Sequence, residues 1–105
     1  MTSPAVQRGD DCYEIRVDGE RAGFTAFFGW GNRRIFYDTE IDDAFEGKGL
    51  GTILIERALA DARRPRKRVV PLCRAVADYL KRSREFADIT DPITEDIIAS
   101  LDTKV

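Results

Sequence analysis

Glu46-Gly47-Lys48-Gly49-Leu50-Gly51-Thr52 runs straight into Ile53-Leu54-Ile55-Glu56-Arg57-Ala58-Leu59-Ala60-Asp61-Ala62. Three alternating glycines give way to apolar residues at helical spacing: Leu54, Ile55, Ala58, Leu59 and Ala62. A glycine loop that opens a helix is suited to gripping an anion. Glycine lets a ligand approach the backbone closely, and the first helical turn offers N–H groups with no partner inside the helix, at the positive end of its dipole. Two familiar phosphate loops are excluded by spacing. A Walker A loop needs Lys and then Ser or Thr after its last glycine, but Lys48 is followed by Gly49. The dinucleotide fingerprint needs a third glycine where this chain has Thr52, or Leu54 if read from Gly49.

Outward from the loop, the chain of 105 residues is long enough for one small domain. It is 43% hydrophobic and 34% charged, as a soluble globular protein would be. A net charge of −2 does not fit a general nucleic-acid binder, and no apolar run reaches the length of a bilayer span. The first residues lack the apolar core of a secretion signal, and Cys12 and Cys73 form neither metal-ligand spacing nor a disulfide framework. The expectation is a cytoplasmic protein with reduced thiols, no metal and no membrane contact. Histidine is absent, so Ser-His-Asp and Cys-His chemistry is excluded. Proton transfer must then run through a carboxylate, Tyr, Cys, Lys, a terminal group or water.

Before the loop, Cys12 to Val17 alternates, with Tyr13, Ile15 and Val17 on one face. Asp18-Gly19 is a hairpin turn, and the returning strand from Arg21 to Phe28 puts Phe24, Ala26 and Phe28 on one face. After a turn at Gly29-Trp30-Gly31-Asn32, Arg33 to Ile41 sets Ile35, Tyr37, Thr39 and Ile41 against Arg34, Phe36, Asp38 and Glu40. Beyond the helix, RRPRKR is a basic connector, Arg68 to Leu72 a short strand, and Cys73 to Arg82 a second helix with Val76, Ala77 and Leu80 inward. Asp91 as N-cap and Pro92 at the first position open a third helix with Ile93, Ile97, Ile98 and Leu101 along its stripe. The reading is a flexible arm over 1–11, an α+β domain over 12–90 with a mainly antiparallel sheet flanked by helices, and a C-terminal helix over 91–105. That last helix packs on the domain or binds a partner.

Antiparallel strands, a glycine loop opening a helix, then strand and helix is an order that resembles the GNAT superfamily of N-acetyltransferases. Its acetyl-CoA loop, R/Q-x-x-G-x-G/A, is matched by Glu46-Gly47-Lys48-Gly49-Leu50-Gly51 except at the first position. The likeness extends to the short YjdJ-type subgroup through Thr39-Glu40, Pro71-Leu72-Cys73, Tyr79 and Glu85-Phe86-Ala87-Asp88, covering about Tyr13 to Ile89. Two positions depart from the pattern: Asp38 stands where the subgroup has His, and Glu46 where the loop has Arg or Gln.

The resemblance implies a minimal GNAT-like fold, acetyl-CoA as co-substrate and transfer of an acetyl group to an amine. Backbone N–H groups of Gly47, Lys48, Gly49, Leu50 and Gly51 would hold the pyrophosphate, with the Thr52 hydroxyl in reach and Lys48 adding charge. The strand before the loop, Asp38 to Ile41, would pair with the pantetheine arm and donate a backbone N–H to the thioester oxygen. Glu40 is the candidate general base, against the competing reading of a strand carboxylate paired with Arg34. Cys73, at a helix N-terminus, either accepts the acetyl group or lines the thioester pocket. Tyr79 is read as a core residue before a proton donor, and Cys12 as structural. Full-length GNAT domains wall their acceptor site with further helices, so an open acceptor side favours a large acceptor such as a protein. The alternatives are a module that binds acetyl-CoA without turnover, and an interaction domain that uses the basic connector.

Overall fold

The structure is a computed structural model and describes residues 4–93. Five strands form one sheet in the order β1-β2-β3-β4-β5: β1 (Ala5–Arg8), β2 (Cys12–Val17), β3 (Glu20–Trp30), β4 (Arg33–Ile41) and β5 (Arg68–Pro71). The first four are antiparallel neighbours, and β5 lies parallel to β4. Helix α1 (Leu50–Arg63) makes the crossover between those parallel strands, and α2 (Arg74–Arg82) follows β5. The expected α+β architecture is thus realised.

Its core lies between the sheet and the two helices. Leu50, Leu54, Ile55, Ala58, Leu59 and Ala62 of α1 are buried against Tyr13, Ile15, Phe27, Phe36 and Val69. This is the stripe that the helical spacing marks out. Tyr79 of α2 is buried in the same core beside Phe86, their ring centroids 6.3 Å apart.

Two strand expectations are corrected. The arm contains β1, whose Val6 packs on the core while Ala5, Gln7 and Arg8 stay exposed. A single inward side chain in four residues leaves no alternation to read. The second correction concerns β4. Ala26 pairs with Asp38 but Phe27 pairs with Phe36, so Tyr37 is an extra residue and forms a bulge. A bulge reverses the alternation beyond it. Arg34 and Phe36 therefore join the buried helix side, while Ile35 turns to the far face with Val70, Phe28 and Leu72. The turn between β3 and β4 is also tighter than expected, since Gly29 and Trp30 still pair with Arg34 and Arg33.

Arg34, only 7% exposed, is held by an internal network. Its guanidinium donates to the Tyr13 hydroxyl and to Asp61, and Tyr13 donates to Asp61 at 2.6 Å. At the far edge, Arg33 and Arg68 both donate to the Asp91 carboxylate, at 3.2 and 2.7 Å. Arg63 binds Asp88 and the Glu85 carbonyl. Arg63 and Arg68, two cations of the basic connector, therefore staple the segment before residue 92 to the end of α1 and to the sheet edge, respectively. The rest of the third helix expected from Asp91 lies outside the described residues.

These pairs predict an acid-labile fold. Burial alone would raise the Asp61 carboxyl, but hydrogen bonds from Tyr13 and Arg34 and the charge of Arg8 outweigh it and hold the group below its usual range. Asp91 is lowered chiefly by its hydrogen bond from Arg68, against burial, and then by Arg33. A carboxyl depressed in the folded state adds stability that is fully present above the unfolded pKa, about 4, and is lost as pH falls through the lower folded value. The urea midpoint should hold down to about pH 4 and then fall, and Asp91→Asn should flatten part of that fall.

Candidate active site

The parallel pairing of β4 with β5 ends at Phe36 and Pro71. Proline has no N–H to continue a ladder, and the Tyr37 bulge turns β4 at the same level. The next link is the Cys73 N–H, which donates to the Phe36 carbonyl at 2.9 Å before the chain enters α2. Beyond that point β4 runs on from Tyr37 to Ile41 while β5 has left it, and a wedge opens between them. Asp42 donates its N–H to Ala22 on β3 at 2.8 Å. Since successive amides of a strand point to opposite sides, those of Thr39 and Ile41 face the wedge. The open edge is about 13 Å long at ~3.3 Å per residue.

Two cavities lie along this edge. The first is lined by Tyr37, Asp38 and Thr39 on β4 and by Leu72, Cys73, Arg74, Ala75 and Asp78 across the wedge. The second is lined by Ile41, Phe45, Glu46, Gly47, Gly49, Leu50 and Gly51. Thr39 borders the first and Ile41 the second, two residues apart on one strand, so the pair traces a trough along this edge, with a thiol at one end and a helix N-terminus at the other. Gly49 is the N-cap of α1 with φ 73°, and Gly47 has φ 82°, both in the left-handed region that glycine reaches without strain. Their neighbourhood is open, so backbone conformation rather than close packing requires them. The Lys48 ammonium lies over the Phe45 ring at 5.8 Å, beside the loop. Gly51 is not needed for packing on the sheet, because an added Cβ would meet only Ile41 Cγ1 at 3.7 Å.

Cys73 is buried and caps α2, its sulfur accepting the Val76 N–H at 3.4 Å. Thr39 Oγ1 lies 3.1 Å from the same sulfur and 2.8 Å from Thr25 Oγ1. Asp38, Thr39 and Cys73 thus share one cavity. Glu40 does not line it; its exposed side chain lines a neighbouring opening with Arg21, Phe24, Ile41, Asp42 and Asp43. Arg34 is engaged with Tyr13 and Asp61 on the opposite side of the strand, so the alternative pairing of Glu40 with Arg34 is not formed. Tyr79 sits in the core with its hydroxyl 3.5 Å from Glu56, and burial raises it further above its ordinary value. Cys12 lies on β2 opposite Ala26. Thr52 is exposed in the first turn of α1. Among the described residues no group of His, Cys, Asp or Glu converges to hold a metal. No helix there is long and apolar enough to cross a membrane.

Sequence reasoning missed Thr25 as part of this site. Its register opposite Thr39 was the available signal, but that pairing appears only once β3 and β4 are aligned.

Comparison with known proteins fits this geometry. The family described as GCN5-related N-acetyl-transferase matches residues 12–89, most of the chain. This chain belongs to the GCN5-related N-acetyltransferase family. The solution NMR structure of a GCN5-like candidate N-acetyltransferase from Staphylococcus aureus has the same fold, with a TM-score of 0.66 at 16% identity, over 87% of this chain and 91% of that one. No curated protein matches the sequence.

Proposed function

We propose that this protein is an acetyl-CoA-dependent N-acetyltransferase of the short YjdJ-type subgroup, acting on an amine of a large acceptor such as a protein. The observation that carries the reading is the succession of two cavities, one at the glycine loop and one at Cys73, along the stretch of β4 that runs on past its pairing with β5. Such a trough offers each part of an acyl-CoA a suitable partner. Pyrophosphate would meet the N–H groups of Gly47 to Gly51, the Thr52 hydroxyl and Lys48. The amides of the pantetheine arm would extend the sheet along Thr39 and Ile41. A backbone N–H of this edge would polarise the thioester carbonyl, which in other acyl-transfer enzymes typically contributes about 3–4 kcal/mol.

An attacking amine must first be neutral, and no histidine exists to take its proton. Asp38 and Glu40 stand on the same side of β4, flanking the wedge, and act as proton acceptors directly or through water. Cys73 lines the thioester end of the trough.

The test is incubation of the purified protein with acetyl-CoA and mixed peptide acceptors, read by intact mass. Acetylated peptides are expected, with the rate falling at least about a hundredfold in whichever of Asp38→Asn or Glu40→Gln removes the base. An acetyl group retained on the protein and lost in Cys73→Ala would route transfer through that thiol. Saturable binding with no acetylated product would replace this reading with that of an acetyl-CoA-binding module.

A further inference from the structure

The hydroxyl of Thr25 is completely buried, and among the described residues its one hydrogen-bond neighbour is Thr39 Oγ1 at 2.8 Å. A buried O–H without an acceptor is costly, so the Thr25 proton goes to Thr39. Thr39 then accepts through its oxygen and has its own proton left to give. Cys73 Sγ, 3.1 Å away, is its neighbour on the other side. The opposite order, in which Cys73 donates to Thr39 and Thr39 to Thr25, would strand the Thr25 proton in the interior. The sulfur consequently accepts twice, from Thr39 O–H and from Val76 N–H.

We propose that Thr25 and Thr39 are positioning residues of the acyl site, forming a hydroxyl relay in the order Thr25 to Thr39 to Cys73. The relay has two consequences. It pins the sulfur from two directions, at the level where β4 and β5 separate. It also leaves the thiol's own proton outside the relay, directed to the cavity shared with Asp38. A sulfur so placed meets two donors and no acceptor within the relay. The significance for transfer rests on the acyl-CoA reading above, whereas the relay itself is a property of the fold.

Alkylation of Cys73 by iodoacetamide at fixed pH tests the relay without acetyl-CoA, in a Cys12→Ser background so that one thiol reports. Thr39→Val keeps the side-chain shape and removes the donor, and should slow alkylation about fivefold, the effect of one hydrogen bond. Thr25→Val, which does not touch the sulfur, should slow it in the same direction, and Thr39→Ser should restore the rate. Unchanged alkylation in Thr25→Val, or failure of Thr39→Ser to rescue, would overturn the relay. If Thr25→Val does not fold, the Thr39→Val and Thr39→Ser pair decides alone. In the same assay acetyl-CoA should shield Cys73. Loss of the relay effect with shielding intact defeats the relay only, whereas absence of shielding with the relay effect intact defeats the acyl-CoA reading only.

Discussion

Gly23→Ala is expected to destabilise the protein by about 3 kcal/mol, lowering the melting temperature by on the order of 15 °C. Gly23 pairs with Ile41 across β3 and β4. A Cβ there would come within 2.4 Å of the Glu40 carbonyl oxygen, 2.5 Å of Ile41 Cδ1 and 3.0 Å of Ile41 Cα. A flexible side-chain end can move aside, but a strand carbonyl and Cα cannot without opening the ladder. The displaced segment is the strand edge that borders the trough, so acetyl-CoA affinity should fall along with stability. Gly51→Ala is the matched control, since its Cβ would meet the same Ile41 at an ordinary 3.7 Å and alanine suits a helix better than glycine. Calorimetric unfolding of the two variants should separate them clearly. Equal melting temperatures would refute the steric argument.

The second large effect is expected at Gly49→Val. Here nothing lies within 4 Å of an added Cβ, so packing is not at issue. The residue has φ 73°, where a β-branched side chain is a strained outlier, and a left-handed L-residue costs about 1–2 kcal/mol. The chain escapes that strain by reshaping the loop, which re-aims the N–H groups that open α1. Acetyl-CoA affinity should drop about tenfold or more, since 1.4 kcal/mol is a factor of ten, while the melting temperature moves far less than in Gly23→Ala. Titration calorimetry gives the affinity, and wild-type binding by Gly49→Val would remove the loop from the ligand site.

What could be read in the sequence was whatever is local and periodic. The Cys12–Val17 and Arg33–Ile41 strands, the α1 stripe and the glycine loop each rest on spacing within a dozen residues, and they appear where that spacing puts them. The order of elements, together with Thr39-Glu40 and Pro71-Leu72-Cys73, pointed to the family. Hidden features depend on pairing between distant segments. The Tyr37 bulge is invisible because alternation reads smoothly through it, and only the partner strand shows that one residue is extra. Strand β1 shows one half-buried apolar side chain and no pattern. Arg34 reads as a solvated strand cation until Tyr13 and Asp61, 21 and 27 residues away, are brought to it. Gly23 looks like an ordinary strand glycine until its register with Ile41 is known.

The site divides along the same line. The glycine loop is a local motif and could be quoted directly. The cavity around Cys73 arises where Pro71 ends one pairing and a bulge redirects another, and the Thr25–Thr39–Cys73 contacts join three separate elements. Glu40 was the natural candidate base on chemistry alone, yet Asp38 and Asp78 are the carboxylates that share the cavity with the thiol.

On the proposed function, one acyl-CoA lies along the edge of β4 from the glycine loop to Cys73. Titration of ¹⁵N-labelled protein with acetyl-CoA, followed by amide chemical shifts, tests it most directly. Saturable shifts are expected for Thr39, Ile41, Gly47 to Thr52 and Cys73, all with one dissociation constant. Shifts confined to other surfaces, such as the arginine-lined pocket between β1 and α1 at Arg8, Arg57 and Arg64, or no shifts at all, would contradict it.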